Sequence, residues 1–178
     1  MMAVILDFVS RIKARDNLFS GHVLEVGSRN VNGSPRHIFD DAISYLGVDL
    51  VAGPDVDVVM DGCDLSTAWP SVAFDTVVCF ETLEHCLRPW VVLDEMKRVL
   101  RPRGYLWIST PTFGFPLHRF PLDCYRFGED AYRGWMFAGM ELLALEHVAD
   151  ELGQPAIVAV GRQIVASPRV AEVDPDTA

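Results

Sequence analysis

Glu25 and Gly27 close the apolar run Val23–Val26 and open a turn rich in Gly, Ser and Asn, VLEVGSRNVNGS at 23–34. Glycine has no Cβ and short polar side chains satisfy nearby N–H groups, so such a turn lets backbone approach a ligand closely. Asp49 ends a second apolar run, Ile43 to Val48. It follows about 20 residues after the turn, the spacing at which nucleotide-binding α/β folds set a carboxylate against a ribose. A third acid, Asp61, follows the run Val56–Met60. These residue types and spacings suit an adenosine-like ligand.

Strands must carry these residues. Runs at His22–Val26, Ile43–Val48, Val56–Met60, Phe74–Phe80 and Tyr105–Thr110 are largely continuous apolar or β-branched stretches, as expected of strands covered on both faces. Between the last two, Pro89 to Leu100 reads as a helix, with Pro89 in its first turn and Val92, Met96, Val99 and Leu100 as its buried stripe. Arg101–Gly104 is expected to be a turn into the next strand. Near the start, Val4, Ile5, Phe8, Val9 and Ile12 share one helical face. Pro35–Asp41 and Leu65–Pro70 read as short helical connections. Thr112 to Gly128, preceded by Pro111, combines Pro116 and Pro121 with five aromatic residues up to Phe127; a long structured loop of this kind is usually functional. A short helix over Glu129–Ala138 and a hairpin of Met140–His147 with Ala156–Val165 follow, and the tail from Ala166 to Ala178 is expected to be disordered. The fold expected is one α/β domain over 1–165, a Rossmann-like, mostly parallel seven-stranded sheet with helices on both faces and a C-terminal antiparallel hairpin. Its ligands bind beyond the carboxyl ends of the strands.

The 178 residues carry 15 basic and 25 acidic side chains, a formal net charge of −10. Non-specific nucleic-acid binding and docking on anionic membranes both need basic patches, so neither is expected. No apolar run approaches the roughly 18–20 residues that span a bilayer, and Asp7, Arg11 and Lys13 interrupt the apolar start. A cytoplasmic location is the default expectation. None of the cysteines (Cys63, Cys79, Cys86 and Cys124) forms a C-x-x-C pair. A zinc set of His85, Cys86 and Cys124 matches no common spacing, so free thiols and no metal are expected.

With these elements in order, the chain resembles the class I S-adenosylmethionine-dependent methyltransferases, particularly the small type 11 kind. VLEVGSRNVNGS (23–34), YLGVDL (45–50), VVMDGCDL (58–65) and the block FDTVVCFETLEHCLRPWVVLDEMKRVLRPRGYLWISTP (74–111) carry the likeness. The resemblance implies S-adenosyl-L-methionine as cofactor. It places Glu25 toward the cofactor ammonium, Gly27 and Ser28 in the turn beneath the methionine and ribose, and Asp49 on both ribose hydroxyls. Leu50 would lie against the adenine, and Asp61 would accept from the adenine amino group with Gly62 and Cys63 nearby. Phe80 and Glu81 would face the methionine end and the substrate. Most relatives carry glycines two and four positions after the first; here Arg29 and Val31 stand there.

Methyl transfer needs a base only if the acceptor loses a proton, and His85, His118 and Asp123 are the candidates, with Tyr125 as a hydrogen-bonding partner. The stretch HRFPLDCYRF (118–127) is similar to one found in related methyltransferases, which assigns Phe113, His118 and Tyr125 to a small-molecule acceptor, a sugar or secondary metabolite methylated on O or N. Two other classes remain open. A nicotinamide-dependent oxidoreductase shares the early strand–turn–acid logic, but Arg29 and Asn32 break its G-x-G-x-x-G fingerprint. A non-catalytic protein that keeps the fold and the cofactor is the other.

Overall fold

The computed structural model describes residues 2–164; the expected disordered tail lies outside the described residues. Seven strands form one sheet: β1 (His22–Val26), β2 (Ser44–Asp49), β3 (Val58–Val59), β4 (Phe74–Phe80), β5 (Leu100–Pro111), β6 (Met140–Ala149) and β7 (Pro155–Gln163). Their order is β3-β2-β1-β4-β5-β7-β6. The first five are mutually parallel, and β7 runs antiparallel to both neighbours. The order reverses between β1 and β4, the point at which an open α/β sheet leaves a crevice at the carboxyl ends.

Side-chain alternation divides the core into two layers. Val23, Val78, Phe80 and Trp107 face the helix α1 (Met2–Asp16), which buries Ile5, Phe8, Val9 and Ile12 against them. Leu24, Val77, Cys79 and Leu106 face the opposite way, onto α3 (Pro89–Val99), whose buried stripe is Val92, Leu93, Met96 and Val99. The short α2 (Leu65–Ala68) adds Leu65 to this second layer. With both faces covered, β4 is buried at six of its seven positions, hence its continuous apolar sequence.

Three local expectations are corrected. Arg101–Gly104 is not a turn but the irregular start of β5. The register shifts between the Phe74–Leu100 and Thr76–Tyr105 pairs, and Arg103 takes φ +66° to absorb the extra residues. The run Val56–Met60 is strand only at Val58–Val59: the Val56 N–H is spent on the Gly53 carbonyl in the preceding bend, while the Asp57 and Met60 N–H groups donate to the Gly47 and Asp49 carbonyls of β2. The helix over Glu129–Ala138 is α4 (Glu129–Ala131) followed by a wider turn, Tyr132–Met136, closed by the Phe137 N–H on the Tyr132 carbonyl. That widening buries Tyr132, whose hydroxyl bonds to Thr110 Oγ1 and the Ile157 carbonyl, each at 2.8 Å.

Candidate functional site

The turn after β1 is shaped by Gly27. Its φ is +81°, and a Cβ there would lie 2.1 Å from Thr82 Oγ1, so only glycine fits between β1 and the loop after β4. The N–H groups of Gly27 and Ser28 both donate to the Val48 carbonyl, at 2.9 and 3.0 Å. Ser28 is buried with its hydroxyl unpartnered, directed at Gly47 of β2. Its side chain therefore buttresses the turn, leaving backbone to face the crevice.

At the end of β2, the two Asp49 oxygens each accept one backbone bond: Oδ1 from Val51 N–H at 3.0 Å and Oδ2 from Arg29 N–H at 3.2 Å. A carboxylate has about four acceptor positions, so each oxygen keeps capacity for a ligand hydroxyl. Asp61 caps the 3₁₀ turn Gly62–Asp64 through Oδ1, which accepts from Cys63 N–H at 2.8 Å. Its other oxygen is unengaged among the described residues. Beside Asp49, the Leu50 side chain is 65% exposed, an apolar shelf available to a flat ring.

Glu25 ends inside the protein. It is buried, and Tyr45 of β2 donates a 2.8 Å hydrogen bond to it. Burial dominates and pushes its carboxyl up to about 8. Tyr45 is in turn covered by Arg36, whose guanidinium lies 4.7 Å from the ring centre and pairs with Asp57 at 2.6 Å. Asp57 also accepts the Gly47 N–H. This chain of groups, Glu25–Tyr45–Arg36–Asp57, was not singled out in the sequence; a Tyr two residues before a strand-end Gly gives no signal by itself.

The end of β4 divides the expected residues. Phe80 packs in the α1 layer and its carbonyl accepts from Thr82 Oγ1, so its side chain turns away from the crevice. Glu81 stands in a left-handed conformation, φ +47°, unusual for a residue with a Cβ and common where function fixes a side chain. Ser109 donates to it at 3.0 Å, and burial with the neighbouring Glu84 charge raises its pKa.

The 112–128 loop is built on Arg126. Its guanidinium pairs with Asp123, donates to the carbonyls of Phe115, Pro116 and Tyr125, and lies over the Phe115 ring. Arg126 holds the Asp123 carboxyl well below the usual carboxylate range. Asp123 also accepts the His118 N–H at 2.7 Å and faces His118 Nδ1 at 3.4 Å. His118 and His85 meet edge to face, centroids 4.9 Å apart. Both turn Nε2 toward the fully buried Glu84, at 3.8 and 3.5 Å. The Glu84 carboxylate raises the His118 pKa against an opposing effect of partial burial. The three candidate bases, His118 and Asp123 of the loop and the distant His85, thus form one cluster.

Tyr125 and Phe113 are not part of that cluster. Tyr125 stacks on Phe127 and donates to the Leu87 carbonyl, while Phe113 is exposed with its ring against Gly128. At the loop tip, Arg29 lies 5.7 Å from the Phe120 ring centre, so the loop reaches the Gly27 turn. The loop also carries a cavity of about 280 Å³ lined by Phe115, Leu117, Asp123 and Arg126. A larger open groove, about 560 Å³, lies between α1 and His37–Asp41 at the amino ends of β1 and β2, away from this crevice.

Comparison with known proteins agrees with this arrangement. Residues 24–108 match the family model of a methyltransferase domain. The chain is 28% identical over 111 residues to a ubiquinone biosynthesis O-methyltransferase of Paraburkholderia phytofirmans, covering 56% of this chain and about half, 48%, of that enzyme. The fold is that of the 1,6-didemethyltoxoflavin N1-methyltransferase of Burkholderia thailandensis, solved with 1,6-didemethyltoxoflavin and S-adenosylhomocysteine. That similarity has a TM-score of 0.73 at 18% identity, over 90% of this chain and 79% of the other. The N-methyltransferase NodS of Bradyrhizobium japonicum, solved with S-adenosylhomocysteine, superposes with a TM-score of 0.67 at 14% identity, over 89% and 85%. Over residues 24–108 the chain is similar to methyltransferase domains, and its sheet order and overall fold are those of the S-adenosylhomocysteine-bound methyltransferases above.

Proposed function

We propose that this protein is an S-adenosylmethionine-dependent methyltransferase acting by in-line transfer to an O or N atom of a small-molecule acceptor. The observation that carries the reading is the placing of Asp49 and Asp61 at the carboxyl ends of adjacent β2 and β3, beside the Gly27 turn. Each keeps unused acceptor capacity, as a ribose diol and an adenine amino group require. Glu25 lies behind the turn, where a ligand ammonium would draw it into its charged form. Leu50 supplies the apolar contact for the base.

S-Adenosylmethionine held by these residues would supply an electrophilic methyl group from its sulfonium, and the acceptor proton would pass to a base or water. The residues of the chain hold and orient the reactants, which in favourable cases contributes up to about 10 kcal/mol. The Arg29–Phe120 contact brings the 112–128 loop over the crevice and limits the entry of water. His118 and His85 stand ready to receive the acceptor proton through Nε2, and Asp123 orients His118. A sugar or secondary metabolite is the acceptor class proposed. Among the described residues no helix is long and apolar enough to cross a membrane, and the cysteines are free; a cytoplasmic setting is proposed with them.

Transfer of labelled methyl to a panel of small hydroxylated and amine acceptors tests the reading. Turnover supports it. Thermal stabilisation by NAD and none by S-adenosylhomocysteine contradicts it.

A further inference from the structure

We propose that Glu84, His85 and His118 form a site for a divalent transition-metal ion, with Zn²⁺ as the ion of choice. Glu84 is fully buried and neither of its carboxylate oxygens has a hydrogen-bond partner. A buried carboxylate without a hydrogen-bond donor is costly; a protonated imidazole beside it offsets part of that cost, and an ion held by the carboxylate and both imidazoles would offset more. The ligand atoms of the three residues lie within 4.8 Å of one another. Glu84 Oε1 stands 3.5 Å from His85 Nε2 and 3.8 Å from His118 Nε2. Those separations exceed a hydrogen bond. They approach the spacing of about 3.3 Å that bonds of about 2.0–2.1 Å impose on the ligands of a tetrahedral ion.

The groups behind the ligands point the same way. A carbonyl oxygen only accepts, so the contact between His85 Nδ1 and the Leu122 carbonyl fixes the proton on Nδ1 and leaves the Nε2 lone pair facing Glu84. His118 Nδ1 lies 3.4 Å from both Asp123 Oδ2 and Arg126 Nη2; metal binding through Nε2 requires its proton on Nδ1, facing the carboxylate. Imidazoles backed by a carbonyl and a carboxylate are how proteins orient metal-ligating histidines. Two imidazoles and one carboxylate favour Zn²⁺ or a similar transition ion over Mg²⁺, which prefers oxygen.

The site is open on one side. His118 and His85 side chains keep 31% and 17% exposure while Glu84 keeps none. Three protein ligands with a free position are the pattern of reactive rather than purely structural zinc. An acceptor oxygen or nitrogen can take that position; with both Nε2 lone pairs on the ion, the metal-loaded protein would lower the acceptor's own pKa, whereas the metal-free protein would use the histidines as bases. This role rests on the methyl-transfer reading; occupancy of the site does not. The set differs from the His85, Cys86 and Cys124 combination considered from sequence, which lacked both Glu84 and His118.

Chelator-stripped protein titrated with Zn²⁺ against a chromophoric competitor, and with Co²⁺ followed by its visible absorption, tests the assignment. One ion per folded chain is expected. Glu84→Gln and His118→Asn should each weaken Zn²⁺ by more than about 100-fold, and Asp123→Asn by about 10–100-fold. His147→Ala, which alters an exposed histidine paired with Glu129, should change nothing. Circular dichroism checks folding, and if Glu84→Gln does not fold, His118→Asn on the partly exposed loop decides. Absence of stoichiometric binding, or binding indifferent to Glu84→Gln and His118→Asn, overturns the proposal. Because the readout is metal affinity, a chain that binds Zn²⁺ without transferring methyl still upholds it.

Discussion

Tyr45, on β2, donates a 2.8 Å hydrogen bond to the buried carboxyl of Glu25 on the neighbouring β1. The pair ties the turn after β1 to the strand that carries Asp49. Burial raises the Glu25 carboxyl to about 8, although the Tyr45 hydrogen bond opposes that shift.

A carboxyl whose folded pKa exceeds its unfolded value binds a proton more tightly in the fold. Its contribution to stability is fully present below the unfolded pKa, about 4.5, and is lost as pH rises through about 8. Glu25→Gln should flatten the fall in urea midpoint between pH 5 and 8.5, leaving the smaller slope contributed by Glu81. An unchanged slope would show that Glu25 is ionised in the free protein. The same reasoning predicts proton release when a ligand ammonium binds near Glu25 at pH 7, measurable by calorimetry in buffers of different ionisation enthalpy.

Gly27→Ala places a Cβ 2.1 Å from Thr82 Oγ1 at a φ of +81°, whereas at Gly139, φ +75°, nothing lies within 4 Å. Gly139→Ala should cost about 1 kcal/mol from backbone strain alone. Gly27→Ala should cost distinctly more in denaturant unfolding. Equal costs would mean that the Gly27–Thr82 approach yields easily and does not define the turn.

Arg126→Ala removes the Asp123 pair and three donations to loop carbonyls. Loss of stability of about 1–3 kcal/mol is expected. Limited proteolysis should cut first within residues 112–128. Cleavage elsewhere at the same rate as in the wild type would show that the loop does not depend on this guanidinium.

His118→Ala should leave S-adenosylhomocysteine affinity within a few-fold of wild type while lowering turnover by about 10²–10⁴-fold, the usual range for a proton-transfer group. Loss of cofactor binding in this variant would place the 112–128 loop in the cofactor site instead.

Much of this was legible before any coordinates. Strands covered on both faces announce themselves by unbroken apolar runs, so β1 and β4 matched their sequence boundaries. Asp49 and Asp61 were legible as strand-end acids, because such acids follow apolar runs, and the structure sets them at the carboxyl ends of β2 and β3. Contacts made by chain closure were not legible. Nothing in the sequence signals the burial of Glu84, yet the 3₁₀ turn Leu83–His85 buries it beneath His118, 34 positions away. No signal in the sequence distinguishes Arg126, although Asp123 and the carbonyls of Phe115, Pro116 and Tyr125 converge on it. Phe80 was legible as strand but not in its direction: alternation set it in the α1 layer with Val78, away from the crevice.

Titration calorimetry of S-adenosylhomocysteine into the wild-type protein and Asp49→Ala tests the central claim most directly. One site per chain is predicted, weakened by about 1–3 kcal/mol in the variant through loss of hydrogen bonds to a charged acceptor. No binding to the wild type, or equal affinity in Asp49→Ala, would contradict an adenosine held at the carboxyl ends of β2 and β3.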